Sequence, residues 1–114
     1  MAITQSTTRG IASVSNHAQG SYLDDAGTPA AATITVGFTP RYFAWHSTTG
    51  RISYEWFTGM AAGTSLKTVA NGTRTLDTTD AAITVNTAAT TLGTVTIAAA
   101  AILQNEQIRW VANE

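Results

Sequence analysis

The chain has 114 residues, a formal net charge of −1 and only 11% charged residues, against roughly a quarter in an ordinary soluble domain. That is room for one domain, and the near-balance of Lys+Arg (6) and Asp+Glu (7) excludes a binder built on phosphate contacts and a disordered charged tail. There is no cysteine, hence no disulfide, no thiolate metal site and no thiol nucleophile, and the redox compartment stays open.

The N-terminus, Met1-Ala2-Ile3-Thr4-Gln5-Ser6-Thr7-Thr8-Arg9, has no basic start before an apolar stretch, so no secretory signal is read there. Starting at Met and showing no tag, the chain is expected to be a complete gene product that stays soluble in the cytoplasm where it is made. Residues 1–30 are rich in Ser, Thr, Gly and Asn. Ile3, Ile11 and Val14 are too sparse to anchor a core, and Asp24 to Pro29 is a turn cluster. This stretch is expected to be an extended N-terminal arm with one or two short edge strands, followed by a single domain over residues 31–114.

From Ala31 the pattern sharpens. Thr33 to Phe38 alternates apolar and polar, the signature of a half-buried strand. Arg41 to His46 alternates again, with Phe43 and Trp45 on one face and Tyr42, Ala44 and His46 on the other. After Ser47-Thr48-Thr49-Gly50, the segment Arg51 to Phe57 places Ile52, Tyr54 and Trp56 together and Arg51, Ser53 and Glu55 opposite. These two strands are predicted to form a hairpin. Thr58 to Leu66 reads as a compact loop or one helical turn. Asn71-Gly72 predicts a type I′ turn joining Leu66–Ala70 to Thr73–Leu76.

Ala82–Val85 and Thr94–Ile97 are two further alternating strands. Ala98 to Gln104 is the only helix candidate, and it is too short to hold without packing. Gln107 to Val111 closes the chain as a strand with Ile108 and Trp110 on one face. The run Val95 to Leu103 spans nine residues, four of them Ala, far short of the roughly 20 that cross a bilayer. The sum is an all-β fold, a small antiparallel β-sandwich or jelly-roll-like barrel of about seven to nine short strands. The 22 threonines suit a pleated surface.

Chemistry-bearing constellations are few. His17 and His46 are far apart in sequence with no Cys beside them, and metal sites want three or four ligands. His46 reads as a partly exposed strand residue. No strained nucleophile turn of the Gly-x-Ser-x-Gly kind occurs. The one adjacent carboxylate pair, Asp24-Asp25, reads as turn chemistry. Gly59 to Thr64 lacks the Lys-Ser/Thr that a phosphate loop needs, and Asn71-Gly72-Thr73 reads as a turn rather than a glycosylation site. No catalytic residue, metal or cofactor is expected.

The aromatic hairpin offers two readings. Trp45, Tyr54 and Trp56 line either a sugar-binding face or the core, and for Trp45 and Tyr54 the core is favoured. Trp56 and Phe57 are adjacent, so they point to opposite faces, and one of them leaves the core. An apolar residue on the outer face beside Met60 points to contact with another chain. Trp56, Phe57 and Met60 are therefore the interface candidates. Low charge and five Arg to one Lys favour the same view, since interface cores enrich Arg and aromatics and deplete Lys.

The segment Ile34-Thr35-Val36-Gly37-Phe38-Thr39-Pro40-Arg41-Tyr42-Phe43 resembles the strand, Gly-Phe-x-Pro, strand opening of small structural proteins of tailed bacteriophages. The resemblance continues through Glu55-Trp56-Phe57-x-Gly59-Met60 and Gly63-Thr64-Ser65-Leu66-Lys67-Thr68-Val69-Ala70-x-Gly72-Thr73-Arg74-Thr75-Leu76. It ends at Ile108-Arg109-Trp110, so it covers about residues 33–112. Tail-fibre modules share a similar opening, so the resemblance bears on a virion component more than on which one. It implies a head decoration or cement protein, made in the host cytoplasm and carried on the capsid surface. There it would bridge neighbouring major capsid protein subunits, as a homo-oligomer (trimer or dimer), with no nucleic-acid or membrane partner. Residues 1–30 would reach across the lattice. The alternative it leaves is a tail or host-recognition component with an aromatic glycan-binding face. A non-viral binding module and an enzyme are the remaining classes.

Overall fold

A computed structural model describes residues 16–23, 30–102 and 106–114. Among them nine strands form two antiparallel sheets. The strands are β1 (His17–Leu23), β2 (Ala32–Thr35), β3 (Tyr42–Ser47), β4 (Ile52–Phe57), β5 (Ser65–Thr68), β6 (Arg74–Asp77), β7 (Thr84–Val85), β8 (Thr94–Ile97) and β9 (Gln107–Asn113). The larger sheet runs β1-β9-β3-β4-β5-β6 and the smaller β2-β8-β7. The all-β fold read from the alternation is the fold observed. No helix among the described residues is long and apolar enough to cross a membrane.

Period-two alternation sends one face of each sheet inward. From the six-stranded sheet Phe43, Trp45, Tyr54, Trp56, Ile108 and Ala112 enter the core, and from the other side Ile34, Val36, Val95 and Ile97 meet them. The hairpin β3–β4 pairs Tyr42 with Phe57 through to Ser47 with Ile52, as its two alternating segments require. Trp45 and Tyr54 are cross-strand partners whose rings stack at 4.6 Å. Trp45 is fully buried because its one polar atom is satisfied: the indole N–H donates to the Ala82 carbonyl at 3.0 Å.

At the edge of this core the Tyr54 hydroxyl donates to Asp80 Oδ2 at 2.9 Å, and Lys67 Nζ approaches the same oxygen at 3.0 Å. Burial alone would raise the Asp80 carboxyl. The hydrogen bonds from Lys67 and Tyr54, with the Lys67 charge, overcome it and hold the group below its usual value. Tyr54 moves the other way, pushed well up by burial first and then by the Asp80 hydrogen bond and charge.

Several local expectations are corrected. The expected helix over Ala98–Gln104 is a single 3-10 turn, Ala99–Ala101, with Ala98 and Ile102 both extended and no side-chain cap; residues 103–105 lie outside the described residues. Ala101 and Ile102 are buried, so the segment inserts into the core instead of completing a helix that its length cannot nucleate. The expected type I′ turn is also different. Gly72 has φ +91, but Asn71 is not in the left-handed region. Gly72 N–H donates to Val69 C=O, and Asn71 Oδ1 accepts from Thr73 N–H. This is a type I turn closed by a positive-φ glycine, the three-residue alternative for the same sequence signal. The hairpin it joins, β5–β6, is present.

Two strands are shorter than read. β2 stops at Thr35 because the N–H groups of Val36 and Gly37 both turn to the Gly93 carbonyl. β7 keeps only Thr84–Val85, since Ala81, at φ +49, redirects the chain before the buried Ala82 and Ile83. Within the stretch read as an arm, β1 is an edge strand of the larger sheet; residues 1–15 and 24–29 lie outside the described residues.

Candidate interaction surface

The outer face of the six-stranded sheet is set by register. On β3 it carries Tyr42, Ala44 and His46, and on β4 their partners Phe57, Glu55 and Ser53. Leu66 and Thr68 follow on β5, then Leu76 and Arg74 on β6. On the other side come Asn113, Val111 and Arg109 of β9, and His17, Gln19 and Ser21 of β1. Ala44 faces outward yet is fully buried, because its methyl cannot stand above the longer Tyr42, His46, Glu55 and Val111 around it.

The pair Trp56-Phe57 parts as adjacent strand residues must. Trp56 is 8% exposed and belongs to the core, while Phe57 is 45% exposed. Phe57 lies against Tyr42 with ring centroids 5.0 Å apart at 53°, a tilted contact of the favourable kind. Met60 returns to this corner through the turn Phe57–Met60, closed by Met60 N–H to Phe57 C=O at 3.1 Å and permitted by Gly59 at φ +96. Its Sδ accepts the Phe57 N–H at 3.3 Å, and its side chain, partly buried, packs against the core. Of the interface candidates, Phe57 presents its ring to solvent, Met60 is tied to the Phe57 backbone, and Trp56 lies in the core.

The polar groups of this corner are tied together. The Tyr42 hydroxyl donates to Glu55 Oε2 at 3.2 Å, and Arg74 reaches Glu55 Oε1 at 3.3 Å and Thr68 Oγ1 at 3.1 Å. Burial first, then the Glu55 charge and hydrogen bond, raises the Tyr42 hydroxyl, so Tyr42 stays a neutral donor. The apolar neighbours Leu66 and Leu76 face each other across β5–β6, and Leu76 is 60% exposed. Parity requires one of Trp56 and Phe57 to face outward, and the structure shows that it is Phe57. Local pattern does not mark Tyr42, Leu66 and Leu76 as its company, because that depends on register.

The other candidates disperse. Trp45, Tyr54 and Trp56, the three rings of the considered sugar face, are all buried. His17 and His46 sit on the same outer face, but on strands separated by β9 and offset along them. His17 lies against Asn113 and His46 against Ser53. Among the described residues no group of three or more His, Cys, Asp or Glu is placed to hold a metal ion. The glycine-bearing loop 58–64 is a pair of tight turns, the second closed by Thr64 N–H to Ala61 C=O. No protein-family model, curated protein or solved structure matches the chain.

Proposed function

We propose that this chain is a structural component of a tailed-bacteriophage virion, a decoration protein that stabilises the capsid by bridging neighbouring major capsid protein subunits. The observation that carries the reading is the exposed Phe57 ring, which lies against Tyr42 above a turn held by Met60, at one corner of an otherwise weakly charged sheet face. Large apolar rings held outward on a rigid strand are what an interface core uses. The resemblance of residues 33–112 to small phage structural proteins supplies the class of partner. The chain has one Lys, five Arg and many Thr and Ala, so ordering it on a lattice sacrifices little side-chain entropy. Weak contacts become strong when many copies act together. On this reading the protein is a homo-oligomer, made in the host cytoplasm and carried on the capsid surface. It has no catalytic role, no cofactor, and no nucleic-acid or membrane partner.

The test is binding of the purified protein to capsid shells of the phage that carries it. Phe57→Ala and Met60→Ala are expected to weaken binding tenfold or more, the loss of about 1.4 kcal/mol or more. Unchanged shell binding and oligomer size in both variants would remove this corner from the interface.

A second reading, a tail or host-recognition component, draws on the same corner. Tyr42 and Phe57 present aromatic surface beside the hydrogen-bonding Glu55 and Arg74, an arrangement on which a sugar stacks. Hits on a glycan array, lost in Phe57→Ala, would favour it over decoration.

A further inference from the structure

The six-stranded sheet ends at β1 on one side and β6 on the other, and these two edges differ. β6 is four residues long with Arg74 and Asp77 at its ends. β1 is seven residues long and carries no Lys, Pro or acid, the residues that commonly blunt an edge. Its ladder with β9 fixes what it offers. Glu114 N–H donates to Asn16 C=O at 3.0 Å. In the alternation of an antiparallel pair, the even-numbered residues of β1 therefore bond to β9, and the odd-numbered ones turn N–H and C=O away. His17, Gln19, Ser21 and Leu23 present a row of donors and acceptors along the side of β1 away from β9. Among the described residues no strand pairs with them.

We propose that a second copy of this chain occupies that edge, β1 against β1, about a two-fold axis through Gly20. Antiparallel pairing centred there sets Gly20 against Gly20 of the second copy, Gln19 against Ser21, Ala18 against Tyr22 and His17 against Leu23. Every outward N–H and C=O finds a partner. No like charges meet, because the strand carries no Lys, Arg, Asp or Glu and its His17 faces the exposed Leu23. On the inner face the large Tyr22 meets the small Ala18. Gly20 makes the centre possible: the Trp110 indole already lies over it, so close that a Cβ there would fall 2.7 Å from the ring. In the dimer the two indoles approach one another over a pair of glycines and cover their partly exposed faces. The axis is perpendicular to the sheet, so both Phe57 corners point the same way. The inference concerns the purified protein alone and does not depend on the decoration reading.

Sedimentation of the full chain over a wide concentration range tests it. Wild type is expected to dimerise. Gln19→Lys with Ser21→Lys places Lys opposite Lys twice and is expected to weaken the dimer tenfold or more, whereas Gln19→Lys with Ser21→Glu places opposite charges together and restores it. Amide exchange on wild type gives the same answer without a variant: the Gln19, Ser21 and Leu23 N–H groups become protected as concentration rises. A wild type that stays monomeric, with the edge held by its own residues or another partner, would overturn the proposal. So would a dimer indifferent to both charge pairs, or edge amides whose exchange ignores concentration.

Discussion

Trp110 on β9 lies flat over Gly20, its cross-strand partner on β1, and stacks on Phe43 with centroids 5.8 Å apart at 17°. An aromatic ring shielding a glycine across an edge pair restores the contact that the missing side chain cannot make. A Cβ at position 20 would stand 2.7 Å from the ring, a separation that side chains do not tolerate. Ala suits a strand better than Gly does, yet the steric term dominates. Gly20→Ala is expected to destabilise the fold by about 1–3 kcal/mol, read from urea unfolding. A neutral or stabilising result would show that Trp110 moves aside without cost.

Trp45 joins the two layers through its N–H to the Ala82 carbonyl. Trp45→Phe keeps a ring in the core but leaves that carbonyl without its donor and a gap where the larger ring was. The expected loss is about 2–4 kcal/mol, measured by urea unfolding with the denaturant slope unchanged.

Trp56 and Phe57 are neighbours in sequence and should separate sharply in stability. Trp56→Ala is expected to cost about 3–5 kcal/mol, because the ring is buried in the core. Phe57→Ala is expected to cost about 1 kcal/mol or less, since much of its ring is already in water. Thermal unfolding of the two variants side by side checks the contrast. Equal losses would mean that Phe57 belongs to the core.

Stability should fall at both ends of the pH scale through the same cluster. The folded-state value of Asp80 is lowered, so its contribution is present above the ordinary carboxylate range and is lost as pH falls through the folded value. Tyr54 is raised, so its contribution is complete below about pH 10, the ordinary tyrosine value, and declines as pH climbs above it. Asp80→Asn is expected to flatten the acid limb, and Tyr54→Phe the alkaline limb. Unfolding free energies measured from acid to alkaline pH would show a wild-type slope in both variants if the cluster were irrelevant.

Much of this architecture is legible along the chain. Arg41 to Phe57 alternates without interruption on both sides of a short polar turn, so the β3–β4 hairpin and the faces of Phe43, Trp45, Tyr54 and Trp56 follow from local pattern alone. Turn type does not, because Asn71-Gly72 serves both a two-residue turn and a type I turn closed by glycine, and strand twist chooses between them. The alanines after Ile97 satisfy helix propensity, but burial of Ala101 and Ile102 decides their conformation. Strand neighbours are the least legible feature. That β9 lies between β1 and β3 rests on contacts between the two ends of the chain, and this same pairing sets His17, Asn113 and Tyr42 in one row. Parity alone sends one of Trp56 and Phe57 outward, and the fold decides that it is Phe57. Its company of Tyr42, Leu66 and Leu76 is a product of register.

The most direct test of the decoration reading is the copy number of this chain in purified virions, measured by quantitative mass spectrometry against the major capsid protein. Hundreds of copies are expected, in near-stoichiometric proportion to the shell. A few to a dozen copies would place the protein at the tail or a vertex and favour host recognition, and its absence from the particle would contradict both virion readings.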